Sequence, residues 1–137
     1  MKKLIFLFVV LLLNSCNKSK EDPQTKLSLS GSWNKICTPQ TGSTFSGELT
    51  LQQNANILTG NFVSSDNSFY GTLTSASLVN GTAVTIAWTI PATSTHLSYT
   101  YNFQGTINST FSSMSGTYYF DLPTNERRTG TWIANKK

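Results

Sequence analysis

The feature that most constrains the fold is a strict alternation of apolar and polar residues, repeated in short segments between residues 31 and 137. Within residues 97–108, one face carries the apolar side chains of Leu97, Tyr99, Tyr101, Phe103 and Ile107. Polar residues, mostly Thr, Ser, Asn and Gln, occupy the positions between them. Because successive side chains of a β-strand point to opposite faces of its sheet, this pattern predicts strands with one buried face and one wet face.

Turn residues divide the alternating region into eight segments. We predict strands at residues 32–37, 45–53, 56–63, 68–77, 82–90, 97–108, 113–121 and 128–135. Most gaps have the length of a hairpin loop, so strands that are neighbours in sequence should pair antiparallel. Closure into a barrel removes the two unpaired edges that an open sheet would leave. The sequence therefore predicts an all-β fold, a single eight-stranded antiparallel up-and-down β-barrel, with a two-sheet sandwich as the alternative.

A repeat of the form apolar-x-Gly-(Thr/Asn)-apolar occurs four times, with its glycine at Gly60, Gly71, Gly105 and Gly116. Each glycine shares the predicted inward face with its two apolar neighbours. Such a glycine either lets the strand coil sharply enough to close a barrel or leaves a gap inside it. We favour coiling, with which an interior gap is compatible.

The first 30 residues have a different composition. Lys2 and Lys3 precede ten consecutive apolar residues, which is typical of an export signal and too short to cross about 30 Å of hydrocarbon. The following Leu13-Asn14-Ser15-Cys16 resembles the lipobox of bacterial lipoproteins. That resemblance implies removal of residues 1–15 and attachment of lipid to Cys16. Residues 16–30 are then a lipidated cysteine with a flexible tether, and residues 31–137 are the barrel domain.

Lipidation implies a location in the cell envelope of a Gram-negative bacterium, with the outer membrane as partner through the N-terminal lipid. Lys20-Glu21-Asp22 resembles the short export signal of some surface lipoproteins, which would place the domain outside the cell. A solvated charged tether explains the same residues equally well. The sequence indicates no particular protein partner.

Charge and titratable residues exclude several functions. From Gly31 onward five cations face four anions, so the net charge of +4 lies mostly outside the barrel and does not predict nucleic-acid binding. The single histidine, His96, lies beside a predicted loop with no cysteine or carboxylate near it in sequence. Cys37 is expected to be a buried, unpaired thiol. We find no acid–base pair, metal-ligand cluster or nucleophile motif, and we predict no enzyme activity, no metal and no cofactor.

Three motifs carry a resemblance to lipocalins and avidins, which are eight-stranded meander barrels. Gly31-Ser32-Trp33 is similar to their G-x-W opening, residues 58–62 resemble the third strand of avidins, and residues 84–88 resemble the fifth. In lipocalins the first-strand tryptophan closes the bottom of the barrel beneath a basic residue. The resemblance implies that Trp33 is a plug covered by Arg127, Arg128 or Lys136.

The biotin-site pattern of avidins is largely not retained. Trp88 matches a pocket tryptophan, but Lys35 falls where the family has an asparagine, and Phe62 and Phe103 replace a pocket tyrosine and a pocket tryptophan. The resemblance therefore implies the fold without high-affinity biotin binding.

Two functions are compatible with these observations. The first is binding of a small apolar or aromatic ligand in the barrel mouth. The second is a non-catalytic structural or interaction role, in which the same side chains fill the barrel, since eight strands enclose room for either. The candidate ligand-binding residues are Phe62, Trp88, Tyr99, Tyr101, Phe103, Tyr118 and Trp132.

Overall fold

The computed structural model describes residues 27–94 and 97–137, which form one closed β-barrel. Its strands are β1 (Gly31–Pro39), β2 (Phe45–Asn54), β3 (Ile57–Ser64), β4 (Tyr70–Val79), β5 (Ala83–Ile90), β6 (Tyr99–Ile107), β7 (Ser113–Asp121) and β8 (Arg127–Lys136). Each strand pairs antiparallel with the next, and β8 returns to pair with β1. The predicted up-and-down barrel is confirmed and the sandwich is wrong. No helix in the described ranges is long and apolar enough to cross a membrane.

The strand bounds agree with the predicted ones to within two residues, because the connections carry the expected turn chemistry. Between β4 and β5, the amide of Thr82 donates to the carbonyl oxygen of Val79 at 3.3 Å. The two central residues, Asn80 and Gly81, have φ values of 51° and 71°. Positive φ at both central positions gives the hairpin turn whose twist matches that of the paired strands.

One inward position was predicted wrongly. Leu97 is 56% exposed, whereas the alternation of residues 97–108 places it on the core face. The register between β5 and β6 ends at the pair Ile90–Tyr99, so Leu97 lies beyond the ladder, in the connection. Alternation continued past the end of the strand, and only the pairing partner shows where the strand begins.

The end of the barrel at which β1 begins is closed by Trp33. This side chain is fully buried, and its Nε1 donates to the carbonyl oxygen of Leu29, also fully buried, at 2.9 Å. The Nζ of Lys136 lies 5.5 Å from the Trp33 ring centroid and donates to the carbonyl oxygen of Ser28 at 2.7 Å. Of the three cations considered from the sequence, Lys136 is therefore the one against this tryptophan.

Glycines allow neighbouring strands to approach closely. Gly105 on β6 pairs with Gly116 on β7, and a Cβ atom added at Gly116 would overlap the carbonyl oxygen of Gln104. At Gly105 an added Cβ would lie 2.8 Å from Cζ2 of Trp132, so the indole ring occupies the space that the glycine leaves. The glycines thus permit the tight curvature of the wall, and a neighbouring ring fills the gap.

We expect Gly116→Ala to destabilise the barrel by about 1–3 kcal/mol, because the added methyl group meets rigid backbone of the adjacent strand. Denaturant unfolding followed by circular dichroism measures this loss. Ser115→Ala, on the exposed face of the same strand, is the control and should change stability by less than about 0.5 kcal/mol. Equal stability of the two variants would contradict the close approach at Gly116.

Candidate functional site

Aromatic rings fill the middle of the barrel. Phe62 and Trp88 stack with centroids 4.5 Å apart and an interplanar angle of 11°. Phe103 lies 4.3 Å from Trp88 and 5.2 Å from Tyr118, centroid to centroid. Trp132 meets Phe103 edge-on at 5.8 Å. These contacts make one continuous aromatic cluster across β3, β5, β6, β7 and β8.

The structure places the seven candidate ligand-binding residues at two levels. Five of them are buried in the interior cluster: Phe62, Trp88, Phe103, Tyr118 and Trp132. Tyr101 is half-buried nearer the open end, with its centroid 6.1 Å from those of both Trp88 and Phe103. Tyr99 is half-buried and packs edge-on against Phe120 at 6.0 Å.

A lysine lies at the centre of this aromatic cluster. Lys35 follows Trp33 on the inward face of β1 and is only 1% exposed. Its register partners are Gly47 on β2 and Ala134 on β8. The Nζ atom lies 3.1 Å from the ring centroid of Phe103, 3.7 Å from that of Trp88 and 4.7 Å from that of Trp132.

Three buried polar atoms inside the barrel have no hydrogen-bond partner among the described residues. They are Nζ of Lys35, Nε1 of Trp88 and the hydroxyl oxygen of Tyr118. A buried polar group left unpaired costs about 1–3 kcal/mol, so nearly all such groups in folded proteins are satisfied. Within the described residues, the Lys35 amine is therefore covered by the faces of three rings and not by a hydrogen-bond acceptor.

Burial changes the proton affinity of the groups around Lys35. Desolvation lowers the pKa of Lys35 well below its ordinary value, and the neighbouring Cys37 opposes this only in part. Burial likewise raises the pKa of the Cys37 thiol to about 11 and that of Tyr101 to about 12. It also raises the pKa of Tyr118. The interior therefore favours neutral forms of all four groups.

No carboxylate compensates Lys35 within the described ranges. The acidic residues there are Glu48, Asp66, Asp121 and Glu126, and none of them is buried. Glu48 pairs with Lys137 on the outer wall, and Asp121 pairs with Arg127 at 2.8 Å. No group of three metal-ligating side chains occurs in this part of the chain either. Cys16 and His96 lie outside the described residues.

The open end of the barrel carries a depression of about 340 Å³. Its lining is Pro39, Thr41, Ser43, Phe45, Tyr101, Phe120, Leu122, Arg128 and Thr129. The Tyr101 ring centroid lies 6.0 Å from that of Phe45 and 4.5 Å from that of Phe120, so three rings form an aromatic wall. We call this depression the mouth. Larger depressions of about 690 and 530 Å³ are lined mainly by outward-facing side chains of the wall, and the buried residues Lys35 and Tyr118 also contribute to their linings.

A cation stands at the rim of the mouth. The guanidinium of Arg128 donates to Oγ1 of Thr41 at 3.0 Å and pairs with Glu126 at 3.1 Å. Its side chain is 41% exposed, so the charge remains solvated. The mouth therefore combines an aromatic wall with a hydrated, already partnered cation.

Sequence reasoning identified Tyr101 in the mouth but missed Phe45, Phe120 and Arg128. The alternation of β2 and β7 places Phe45 and Phe120 on the inward face, so their orientation was readable. The height of these two rings along the barrel axis could not be predicted from the sequence, because it depends on the stagger between strands. Alternation also places Lys35 on the inward face, between Trp33 and Cys37. Because lysine is rarely buried without a partner, the sequence did not identify it as an interior residue.

No known protein family matches the sequence, and no curated protein does. Among solved structures, the chain is similar to EF1p2_mFAP2b bound to DFHBI, with a TM-score of 0.62 and 15% identity, covering 80% of this chain and 94% of that one. It is also similar to the redesigned β-barrel b11L5F_LGL, with a TM-score of 0.61 and 16% identity over 80% and 91% of the two chains. A third similar structure is the redesigned β-barrel mFAP1, bound to DFHBI. Its TM-score is 0.57 and its sequence identity 17%, over 79% of this chain and 94% of that one.

At these identities the likeness shows the fold alone. It defines the class of protein: an all-β, closed eight-stranded antiparallel meander barrel of lipocalin-like type.

We expect Lys35→Met to stabilise the protein by about 1–3 kcal/mol at neutral pH, because the variant removes an unpaired buried amine and keeps an unbranched chain of similar length. Urea unfolding of the two proteins measures the difference. Lys137→Met removes the same charge from the outer wall and should change stability by less than about 0.5 kcal/mol. A destabilised Lys35→Met would show that the amine has a partner in the folded protein.

The stability difference between the wild type and Lys35→Met should become smaller as the pH rises. The pKa of Lys35 is lower in the folded than in the unfolded chain, so between the two values the unfolded chain binds more protons. The wild type therefore gains stability as pH rises through that window, by up to about 1.4 kcal/mol per unit, and the advantage of Lys35→Met shrinks. Cys37 is present in both proteins, so its ionisation contributes to both.

Proposed function

We propose that this protein is a lipid-anchored, non-catalytic lipoprotein of the bacterial cell envelope whose barrel binds a small aromatic or apolar ligand in its mouth. The observation that carries the proposal is the depression of about 340 Å³ at the open end, lined by the rings of Phe45, Tyr101 and Phe120. Ligand sites are typically concave, mostly apolar and roughly 300–1,000 Å³ in volume. The mouth falls within this range.

The geometry of the three rings favours a flat ligand. The rings of Phe45 and Tyr101 meet edge to face at an interplanar angle of 68°, whereas the rings of Tyr101 and Phe120 are tilted by 32°. Aromatic pairs in such arrangements contribute about 0.5–1.5 kcal/mol beyond the area that they bury. A planar ring lying against Tyr101 or Phe120 would gain these contacts, and the hydroxyls of Thr41 and Ser43 supply polar groups at the rim.

Two of the similar solved structures are bound to DFHBI. They support ligand binding as a use of this barrel architecture, since the chain shares their fold over about four fifths of its length. The residues that hold DFHBI in those proteins carry no information about this chain at 15–17% identity.

A second candidate function is a structural or interaction role with a filled barrel. The packing of Phe62, Trp88 and Phe103, with centroids 4.3–4.5 Å apart along the cluster, favours it. In this alternative the mouth is only the upper surface of the core. Direct measurement of ligand binding separates the two functions.

Naphthamide, a neutral planar compound, is a suitable probe of the mouth. We expect it to bind the wild type and to bind Phe120→Ala at least about fivefold more weakly, because the variant loses one ring of the wall. Titration calorimetry measures both affinities. Tyr119→Ala removes a ring from the next position of β7, on the outer face beneath Arg127, and should bind naphthamide like the wild type.

Failure of naphthamide and other neutral aromatic compounds to bind the wild type would favour the filled barrel. Equal weakening by Phe120→Ala and Tyr119→Ala would place the binding site elsewhere.

The proposed anchor rests on the sequence of residues 1–16. The lipobox resemblance ends at Cys16, and more than one acyl chain is needed for stable attachment to a membrane. The outer membrane is the proposed location. Residues 28–30 pack against the barrel, with Leu29 fully buried, so the tether that would hold the barrel away from the lipid surface ends before them.

We expect Cys16→Ser to release the protein from membranes and to delay removal of residues 1–15, because the variant lacks the thiol that carries the lipid. Membrane fractionation and intact mass measure both effects. The matched control is Cys37→Ala, which removes the buried thiol of β1 and should leave fractionation unchanged. A Cys16→Ser protein that stays in the membrane fraction would refute lipidation at this residue.

A further inference from the structure

We propose that Lys35, Trp88 and Tyr118 form a buried anion site beneath the mouth, and that the ligand of this barrel is an aromatic carboxylate whose acid group reaches that site. This inference rests on the proposed function, because it specifies the class of ligand that the mouth accepts. The three side chains come from β1, β5 and β7 and project into the same interior.

The chemistry of the unpaired atoms identifies the missing group. A lysine amine in its charged form and an indole N–H can only donate hydrogen bonds, and a tyrosine hydroxyl can donate one. Nζ of Lys35, Nε1 of Trp88 and the hydroxyl of Tyr118 all lack a partner. What would satisfy all three is therefore an acceptor with several lone pairs, which a carboxylate provides on two oxygens.

Charge favours an anion over a neutral acceptor. Cys37, on the same strand, is the titratable group whose charge acts on Lys35. Burial raises the pKa of Cys37 and of the two interior tyrosines, Tyr101 on β6 and Tyr118 on β7, so all three stay neutral. The cations nearest the two barrel ends are occupied, Arg128 by Glu126 and Lys136 by the carbonyl oxygen of Ser28. Within residues 27–94 and 97–137 no carboxylate is buried beside Lys35, so a ligand anion would balance its charged form.

A chain of ring contacts connects the mouth to Lys35. Tyr101 lines the mouth and stacks over Phe103 with a centroid distance of 6.1 Å, and Nζ of Lys35 lies 3.1 Å from the Phe103 centroid. Tyr101 is half-buried, so it is the ring that has to turn aside when an acid group passes from the mouth to Lys35. The aromatic part of the ligand then stays against Phe45 and Phe120.

Binding of the carboxylate is coupled to one proton. In the empty barrel, burial favours the neutral amine of Lys35, whereas the carboxylate stabilises the ammonium form. The ligand is an anion in neutral solution, so one proton moves from solvent to Nζ as the ion pair forms. Only an N–H bond is made, and the buffer supplies the proton.

The experiment compares naphthoate with naphthamide, which have the same ring system and differ in charge. Wild-type protein, made from the full-length sequence and purified from membranes in detergent, is titrated with each probe by calorimetry. We expect naphthoate to bind at least about tenfold more tightly than naphthamide. Lys35→Met should bind the two equally, whereas Lys137→Met should keep the preference. Circular dichroism and unfolding confirm that each variant is folded.

Proton linkage provides a second readout that a purely structural role of Lys35 would not change. Titration in two buffers with different ionisation enthalpies should show uptake of up to one proton per naphthoate bound by the wild type. No uptake is expected with naphthamide or with Lys35→Met. Above neutral pH the affinity for naphthoate should fall by up to about tenfold per unit, because the complex holds one proton more than the free protein and protons become scarcer as the pH rises.

The outcomes distinguish this inference from the function on which it rests. Equal affinity for both probes, unaffected by Lys35→Met, would overturn the anion site and leave aromatic ligand binding in place. A preference for naphthoate that persists in Lys35→Met and disappears in Arg128→Met would also overturn it, since the anion would then bind at the rim. If neither probe binds, both proposals fail.

Discussion

The ladder between β8 and β1 is the interaction on which the rest of the structure depends. Seven hairpin-connected pairings would give only a curved sheet, whereas the register from Trp33–Lys136 to Pro39–Gly130 closes it. Closure removes both edges and turns eight amphipathic faces into one interior. It also fixes the orientation of Lys35, because a slip of one residue between β1 and β8 would move every side chain of β1 to the opposite face. The buried amine is therefore a consequence of how the barrel closes.

A stable barrel does not require this amine. An apolar residue of similar length at position 35 would complete the aromatic cluster without leaving a donor unpaired, and the same holds for a phenylalanine at position 118. A residue that is unfavourable for stability at its position, as a buried lysine is, most often belongs to a functional site. Nζ of Lys35 lies over the Trp88 and Phe103 rings, and the Phe103 ring packs on Tyr118, so the three unpaired atoms belong to one set of contacting side chains and one ligand group could serve them together.

The sequence was sufficient to predict the strands, their order and the closed barrel, because alternation and turn chemistry are local properties. The β4–β5 turn at Asn80 and Gly81 and the inward residues of β5 are examples. The site was predictable only in part. Alternation shows which face a side chain takes, but the stagger between strands decides which residues share a level. Tyr101, Phe45 and Phe120 belong to three strands and meet only through that stagger.

The glycines connect the wall of the barrel to the site that it encloses. Added Cβ atoms at Gly47, Gly105 and Gly130 would lie 2.5–2.8 Å from the rings of Phe62, Trp132 and Tyr118 respectively. Each glycine therefore allows close strand approach and also provides the space into which one ring of the interior cluster packs. At Gly105, one of the repeat glycines, the Trp132 ring fills the space that the sequence left open as an interior gap. The mouth lies beyond this cluster, where Phe45, Tyr101 and Phe120 line the end of the barrel.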